Sequence, residues 1–230
     1  GGFRCPKCGY RRHDTDVSVT RVFAENYDGS QVEINVDGTK KTVLVNLPAL
    51  YNVYNAVGAV CAACAMGIDR STAVEAMSHF QRGFGRMEGF SLGEKGATMM
   101  LVKNPAGCDQ VIDFLSRIRE PFGLVVCLND RAADGRDISW IWDVDFERLF
   151  EMTGQLRQLF VSGDRAFEMK MRLKYAGIPE EQIYVERDYS ALVESLSHQQ
   201  VPVFMLPNYT AMLELRHAVI GKVGGTEFWE

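Results

Sequence analysis

The chain has 230 residues, 47% of them hydrophobic and 24% charged, enough apolar material for one large or two small globular domains. Thirty acidic against 25 basic residues give a formal charge of −5, without long like-charge runs, so nothing in the balance suggests a nucleic-acid-binding face. No apolar stretch reaches the roughly 18 residues needed to span a bilayer, and the N-terminus lacks the order of a signal peptide. The expected compartment is therefore the cytosol.

In the cytosol the six cysteines, Cys5, Cys8, Cys61, Cys64, Cys108 and Cys127, read as thiols or metal ligands and not as disulfides. The chain starts on Gly1 without an initiator Met, which reads as a fragment or a processed piece. Its first motif, "CPKCGY", is a zinc knuckle: Cys5 and Cys8 are spaced for one metal, and Gly9 relaxes the turn so that backbone N–H groups can approach the sulfurs. One knuckle is half of a tetrahedral site. The other two ligands are expected from elsewhere in the chain, from a partner, or from sequence upstream of Gly1. Cys61 and Cys64 lie in the Ala-rich run "YNVYNAVGAVCAACAMGI" without a turn signal, and are expected as small core residues of a helix.

Residues 16–47 alternate in short β-type runs, "DVSVTRVF", "SQVEINV" and "KKTVLVNL", split by "YDGS" and "DGTK" turns. Pro48 then opens a helix from about Tyr51 to Met66, ended by Gly67, and a second helix follows with Ser71 or Asp69 as its cap. "QRGFGRMEGF" carries three glycines and reads as a hinge between domains. Beyond it apolar strands alternate with amphipathic helices, which indicates a mainly parallel, Rossmann-like α/β domain covered on both faces.

In such sheets ligands bind beyond the carboxyl ends of the strands. "LNDRAADGRDISWIWDVDFE", residues 128–147, begins at one of those ends and holds five aspartates and two tryptophans. It does not have EF-hand spacing, and no G-x-x-x-x-G-K-[ST] loop occurs in the chain. Trp140 and Trp142, two residues apart, would share one face of an extended segment and suit either a core or an interface anchor. On composition alone Asp134-Gly135 reads as a turn and Asp137 as a cap.

Three stretches carry a family resemblance. "NLPALYNVYNAVGAVCAACAMGI" resembles the nucleotide-facing helix start of Mur ligases and folylpolyglutamate synthetases, and "GRMEGF" resembles the linker arginine that begins their C-terminal domain. "LVKNPAG" followed by D-G-x-D-x-S-W-x-W-D, Asp134 to Asp143, resembles the MurT-type subunits of lipid II isoglutaminyl synthase. The resemblance runs over essentially the whole chain. It implies that residues 1–82 are the last part of a Mur-ligase central domain, with half a zinc ribbon and β-hairpins, and that residues 83–230 are the C-terminal α/β domain. A P-loop and the first half of the ribbon would lie upstream, so this chain alone is expected to be inactive and to bind ATP poorly.

The activity implied is ATP-dependent amidation of the D-glutamate α-carboxylate of lipid II to D-isoglutamine. Mg²⁺, a structural Zn²⁺ and a GatD-type glutaminase partner are implied with it, and contact with the membrane would come only through the lipid II substrate. Asn52, with Tyr51 and Asn55, matches the nucleotide-facing helix start, since an amide offers adenine a donor beside an acceptor; helix capping after Pro48 is the alternative. Arg86 matches the linker arginine, suited to phosphate. Lys103 and Asn104 stand where other Mur ligases carry an acidic motif, a departure that leaves Lys103 as a phosphate or closure contact. Asp134, and after it Asp137, is the residue that would complete the partner's Cys-His pair across the subunit interface. A Mur-type ligase without a glutaminase, or a zinc-ribbon binding module without chemistry, are the competing readings.

Overall fold

The computed structural model describes residues 2–25, 29–47, 50–79 and 86–225. The chain divides into two compact units, Gly1–Gln81 and Arg82–Glu230. Among the described residues no helix is long and apolar enough to cross a membrane.

The first unit opens with the Cys5–Gly9 turn, closed by a bridge between Arg4 and Arg11. Three antiparallel strands follow, β1 (Val17–Glu25), β2 (Ser30–Val36) and β3 (Thr39–Val45), in the order β1-β2-β3. Period-two alternation buries Ser30, Val32, Ile34 and Val36 on one face of β2. Asp37 (φ 46°) and Gly38 (φ 87°) turn β2 into β3 with positive φ at both positions, the geometry that matches the twist of a two-residue hairpin.

The buried face packs on α1 (Leu50–Ala65) and α2 (Arg70–His79) through Val53, Val60, Ala73, Val74 and Met77. The cap of α2 is Asp69, whose Oδ2 accepts the Thr72 N–H at 3.1 Å and the Ser71 hydroxyl at 2.5 Å. Cys61 is exposed on α1 and only Cys64 leans on the core, which corrects the expectation that both are core residues. The core stripe of α1 passes through Val53 and Val60, and Cys61 lies about 100° around the helix from Val60. Pro48 lies outside the described residues.

The second unit is a six-stranded sheet in the order β4-β5-β9-β6-β7-β8. Its elements are β4 (Arg86–Phe90), β5 (Ala97–Met100), α3 (Pro105–Ser116), β6 (Phe122–Cys127), α4 (Glu147–Glu151), β7 (Leu156–Ser162), α5 (Ala166–Tyr175), β8 (Ile183–Val185), α6 (Tyr189–Ser197), β9 (Val203–Pro207) and α7 (Tyr209–Val223). β4 runs antiparallel to β5 and the other neighbours are parallel. The glycine-rich stretch read as a hinge is corrected in its second half: residues 81–85 lie outside the described residues, while Arg86–Phe90 form the edge strand. Arg216 of α7 fastens that strand, its Nε and Nη2 donating to the Glu88 carboxylate at 2.9 to 3.1 Å.

The last strand to form in sequence, β9, inserts between β5 and β6. Both β6 and β9 are buried along their whole length, as apolar runs in a two-faced parallel sheet must be. Val125, Cys127, Val203 and Met205 face α6 and α7. On the other side Phe204 packs edge-on to Phe122 and Phe114 at 5.6 and 6.2 Å.

Gly163, just after β7, has φ +91°, and a Cβ there would lie 2.6 Å from the Leu128 carbonyl oxygen and 2.7 Å from Asn129 Oδ1. Gly163→Ala is therefore expected to destabilise this unit by at least about 2 kcal/mol, measured by denaturant unfolding. Wild-type stability in that variant would refute the contact.

Candidate functional site

The carboxyl ends of β6, β7 and β9 are joined by polar side chains. Asn129, two residues past β6, and Asn208, one past β9, are 1% and 3% exposed. The Asn129 N–H donates to Asn208 Oδ1 at 3.0 Å, and Asn208 Nδ2 donates to the Asn129 carbonyl at 2.7 Å. Asn129 Oδ1 accepts the Asp164 N–H at 2.8 Å, which brings in the end of β7. Every one of these groups would cost free energy if buried alone. Together they fix where the chain leaves the sheet.

The aspartate-rich stretch starts from this clamp. A short 3₁₀ turn, Ala132–Asp134, ends at Gly135 in the left-handed region (φ 95°). It directs the Asp134 carboxylate to the start of α7: Oδ1 accepts the Thr210 N–H at 2.9 Å, while Oδ2 accepts the Thr210 hydroxyl at 2.5 Å and the Arg131 N–H at 3.2 Å. The positive end of a 15-residue helix favours a carboxylate there. Asp134 is half-buried, and Asp137, three residues on, is exposed. The Ser139 N–H bonded at 2.8 Å to Asp137 Oδ1, together with the Ser139 hydroxyl, holds the Asp137 carboxyl below its usual range.

Asp130 accepts from Arg165 at 2.6 Å, and the backbone N–H of Asp145 donates to Asp109 at 2.9 Å. Among the described residues no three His, Cys, Asp or Glu side chains are grouped as a metal set. Arg131 bridges Asp164 (2.9 Å) and Glu214 (2.6 Å), beside an open cavity of about 670 Å³ bordered also by Tyr189 and His217.

The stretch then drops along α5 and is not extended. Trp140 and Trp142 lie in a second 3₁₀ turn, Ser139–Trp142, which corrects the expectation that they share a face: at three residues per turn, positions two apart point about 120° apart. Trp142 is 51% exposed and Ile141 between them is buried. Arg172 of α5, its side chain 3% exposed, donates to the Ile141 carbonyl at 3.0 Å, the Val144 carbonyl at 2.7 Å and Glu147 at 2.9 Å. Its guanidinium also lies 5.4 Å from the ring centres of both Trp142 and Phe146.

The other expected site residues are spread over both units. Asn52 is buried in the first turn of α1, with Tyr51 half-buried and Asn55 exposed. Lys103 is exposed, and Asn104 caps α3 by accepting the Gly107 N–H at 2.8 Å. Arg86 opens β4, and its side chain lies outside the described residues. The N–H groups of Cys8 and Lys7 hold the Cys5 thiol below its usual pKa, the environment that a metal-binding thiolate needs. Sequence reasoning missed Asn129, Asn208, Thr210, Arg131 and Glu214. The signal available was a polar residue directly after an apolar strand, in "VVCLN" and "FMLPN".

Residues 101–212 match the family model described as MurT ligase C-terminal. The chain is 34% identical over 223 residues to the lipid II isoglutaminyl synthase (glutamine-hydrolyzing) subunit MurT of Streptococcus pneumoniae R6, covering 96% of this chain and 48% of that protein. To the subunit of the same name in Staphylococcus aureus COL it is 32% identical, covering 92% and 46%. The chain thus spans about half the length of the curated relatives it matches. Among solved structures, MurF of Acinetobacter baumannii aligns with a TM-score of 0.66 at 15% identity, over 90% of this chain and 45% of that one. Folylpolyglutamate synthase of Mycobacterium tuberculosis, complexed with ADP and AMPPCP, aligns at 0.65 and 13%, over 93% and 49%. At such identity these structures establish the fold alone, a Mur-ligase-like α/β arrangement with a mixed sheet.

Two outcomes follow from the Arg172 contacts. Arg172→Met should destabilise the fold by about 2–4 kcal/mol, because two buried carbonyls lose their donor. The Arg172 hydrogen bond lowers the Glu147 pKa, so the pair's stabilisation is complete above the ordinary glutamate pKa of about 4.3 and is lost as pH falls through the depressed folded value. Denaturant midpoints from pH 7 to pH 3 should fall with acidification in wild type, and less steeply in Arg172→Met. Parallel profiles would contradict the assignment.

Proposed function

We propose, from the match of residues 101–212 to the MurT ligase C-terminal family model, that the chain belongs to the ligase subunit of a glutamine-hydrolysing lipid II isoglutaminyl synthase. The observation that carries this reading is the likeness over 96% of the chain to a protein named as such a subunit. The reaction is ATP-dependent amidation of the α-carboxylate of D-glutamate in the lipid II stem peptide. A carboxylate oxygen takes the γ-phosphoryl group, releasing ADP. The nitrogen of ammonia then attacks the acyl carbon, the bond to the phosphate oxygen breaks, and the nitrogen loses a proton to leave the primary amide. Phosphorylation turns a poor oxide leaving group into a good one, and Mg²⁺ supplies charge neutralisation on the phosphates when bound.

In this reading Asn52, flanked by Tyr51 and Asn55, contacts the nucleotide base, and Arg86 and Lys103 serve the phosphates or domain closure. The fold shared with a folylpolyglutamate synthase solved with ADP and AMPPCP supports a nucleotide role. Residues 1–82 would be the end of a Mur-type central domain. Cys5 and Cys8 would hold a structural zinc as two of its four ligands; the N–H groups directed at Cys5 suit a thiolate and support that fit.

Ammonia comes from a GatD-type glutaminase partner, and the Streptococcus pneumoniae relative's name as a glutamine-hydrolyzing synthase subunit supports this. Asp134 completes the partner's Cys-His pair: an orienting carboxylate must be fixed in place and keep a lone pair for the imidazole N–H. The three donors on Asp134 fix it, and a carboxylate has about four acceptor sites. Asp137, exposed and with Oδ1 committed to Ser139, is the second candidate.

Asp134→Asn, made in the ligase subunit and assayed with its partner, is expected to lower glutamine hydrolysis and glutamine-dependent amidation by roughly a thousandfold or more. Amidation driven by added ammonium should persist, and stability should fall by about 1 kcal/mol from the weakened cap on α7. Normal glutaminase activity in that complex would overturn the assignment of Asp134.

A further inference from the structure

The donors that hold Asp134 come from a closed polar ring, not from isolated contacts. Thr210 gives the carboxylate both its N–H and its hydroxyl, one to each oxygen. Asn129 Nδ2 in turn donates to Thr210 Oγ1 at 3.0 Å. Because a hydroxyl has a single proton, an amide donor on the far side of that oxygen leaves Thr210 one good orientation, proton toward Asp134. Asn129 is itself locked, since Asn208 and Asp164 take up its backbone groups and its Oδ1. On the other side the Arg131 N–H closes on Asp134, while the Arg131 side chain returns through Glu214, whose second oxygen is 3.4 Å from Asn129 Nδ2.

The acceptor count gives this ring a direction. Asp134 Oδ2 takes two donors, the Thr210 hydroxyl and the Arg131 N–H, and Oδ1 takes one, the Thr210 N–H. With about two acceptor sites per oxygen, Oδ1 alone keeps one free.

We propose that Thr210, with its hydroxyl aimed by Asn129, is the positioning residue that holds Asp134 so that Oδ1 faces the imidazole of the glutaminase partner. This rests on the reading of Asp134 given above and deepens it. Thr210 touches neither glutamine nor the reacting atoms; it acts through the rotamer of Asp134. Valine at position 210 keeps the shape and the backbone N–H but removes the hydroxyl. The carboxylate is then free to rotate on a single N–H and the Arg131 contact, while serine restores the donor.

The test uses the ligase subunit in complex with its glutaminase, comparing Thr210→Val, Thr210→Ser and Asp134→Asn. Thr210→Val should lower kcat for glutamine hydrolysis by about 10- to 100-fold, the effect of a misplaced catalytic group. KM for glutamine and ammonium-driven amidation should be unchanged, and Thr210→Ser should stay within about threefold of wild type. Wild-type kcat in Thr210→Val alongside an inactive Asp134→Asn complex would overturn the role of Thr210 and leave that of Asp134 standing. Wild-type kcat in Asp134→Asn would remove both. If Thr210→Val does not assemble, Thr210→Ser decides: near-wild-type turnover supports the hydroxyl's role, and a tenfold loss rejects it.

Discussion

The exchange of hydrogen bonds between Asn129 and Asn208 is the constraint on which the rest of the second unit's site depends. It ties the carboxyl ends of the two fully buried central strands, β6 and β9, which are far apart in sequence. Buried amides in a low-dielectric interior leave few geometries in which all their groups are paired. The Asp164 N–H adds β7 to the same clamp, and Gly163 is the residue that lets β7 approach so closely. With three strand ends fixed, the chain after Asn129 has one exit, and α7 starts in a place that Asp134 can reach.

From that exit the 128–147 stretch is held at both ends by chemistry that differs in kind. At the start Asp134 meets a helix terminus and a hydroxyl. Farther on, a buried guanidinium gathers two carbonyls and a carboxylate, with two aromatic rings around it. Between these anchors Asp137 and Trp142 remain exposed. A loop this firmly tied, with exposed polar and aromatic side chains at its tip, suits contact with another protein better than capture of an ion, and the commitment of Asp130, Asp134 and Asp137 to separate arginine, hydroxyl and backbone partners is consistent with that.

Much of the architecture is legible from local pattern. Alternation in "SQVEINV", the apolar runs "FGLVVC" and "VFML", and the caps Asp69 and Asn104 each reflect interactions within a few residues. What is not legible depends on distance along the chain. Asp134 and Thr210 are 76 residues apart, and nothing in "DGRD" names its partner in "PNYT". β4 is hidden because "RMEGF" is held as an edge strand by Arg216, 128 residues away from Glu88. The two tryptophans mislead because they lie in a tight 3₁₀ turn, one of whose carbonyls, that of Ile141, Arg172 binds, and i,i+2 spacing means a shared face only in a strand. The resemblance to MurT-type subunits carried the functional reading further than periodicity could, and the polar ring supplies a physical reason for singling out Asp134 among five aspartates.

The role proposed for this loop is to complete an active site housed in another subunit. A structure of the ligase subunit bound to its glutaminase tests it most directly, through the distance between Asp134 Oδ1 and the nearer ring nitrogen of the partner's catalytic histidine. Hydrogen-bond reach, about 3 Å, is expected there, with the Thr210 contacts intact. A loop facing solvent, or a carboxylate of the partner itself holding that histidine, would contradict it.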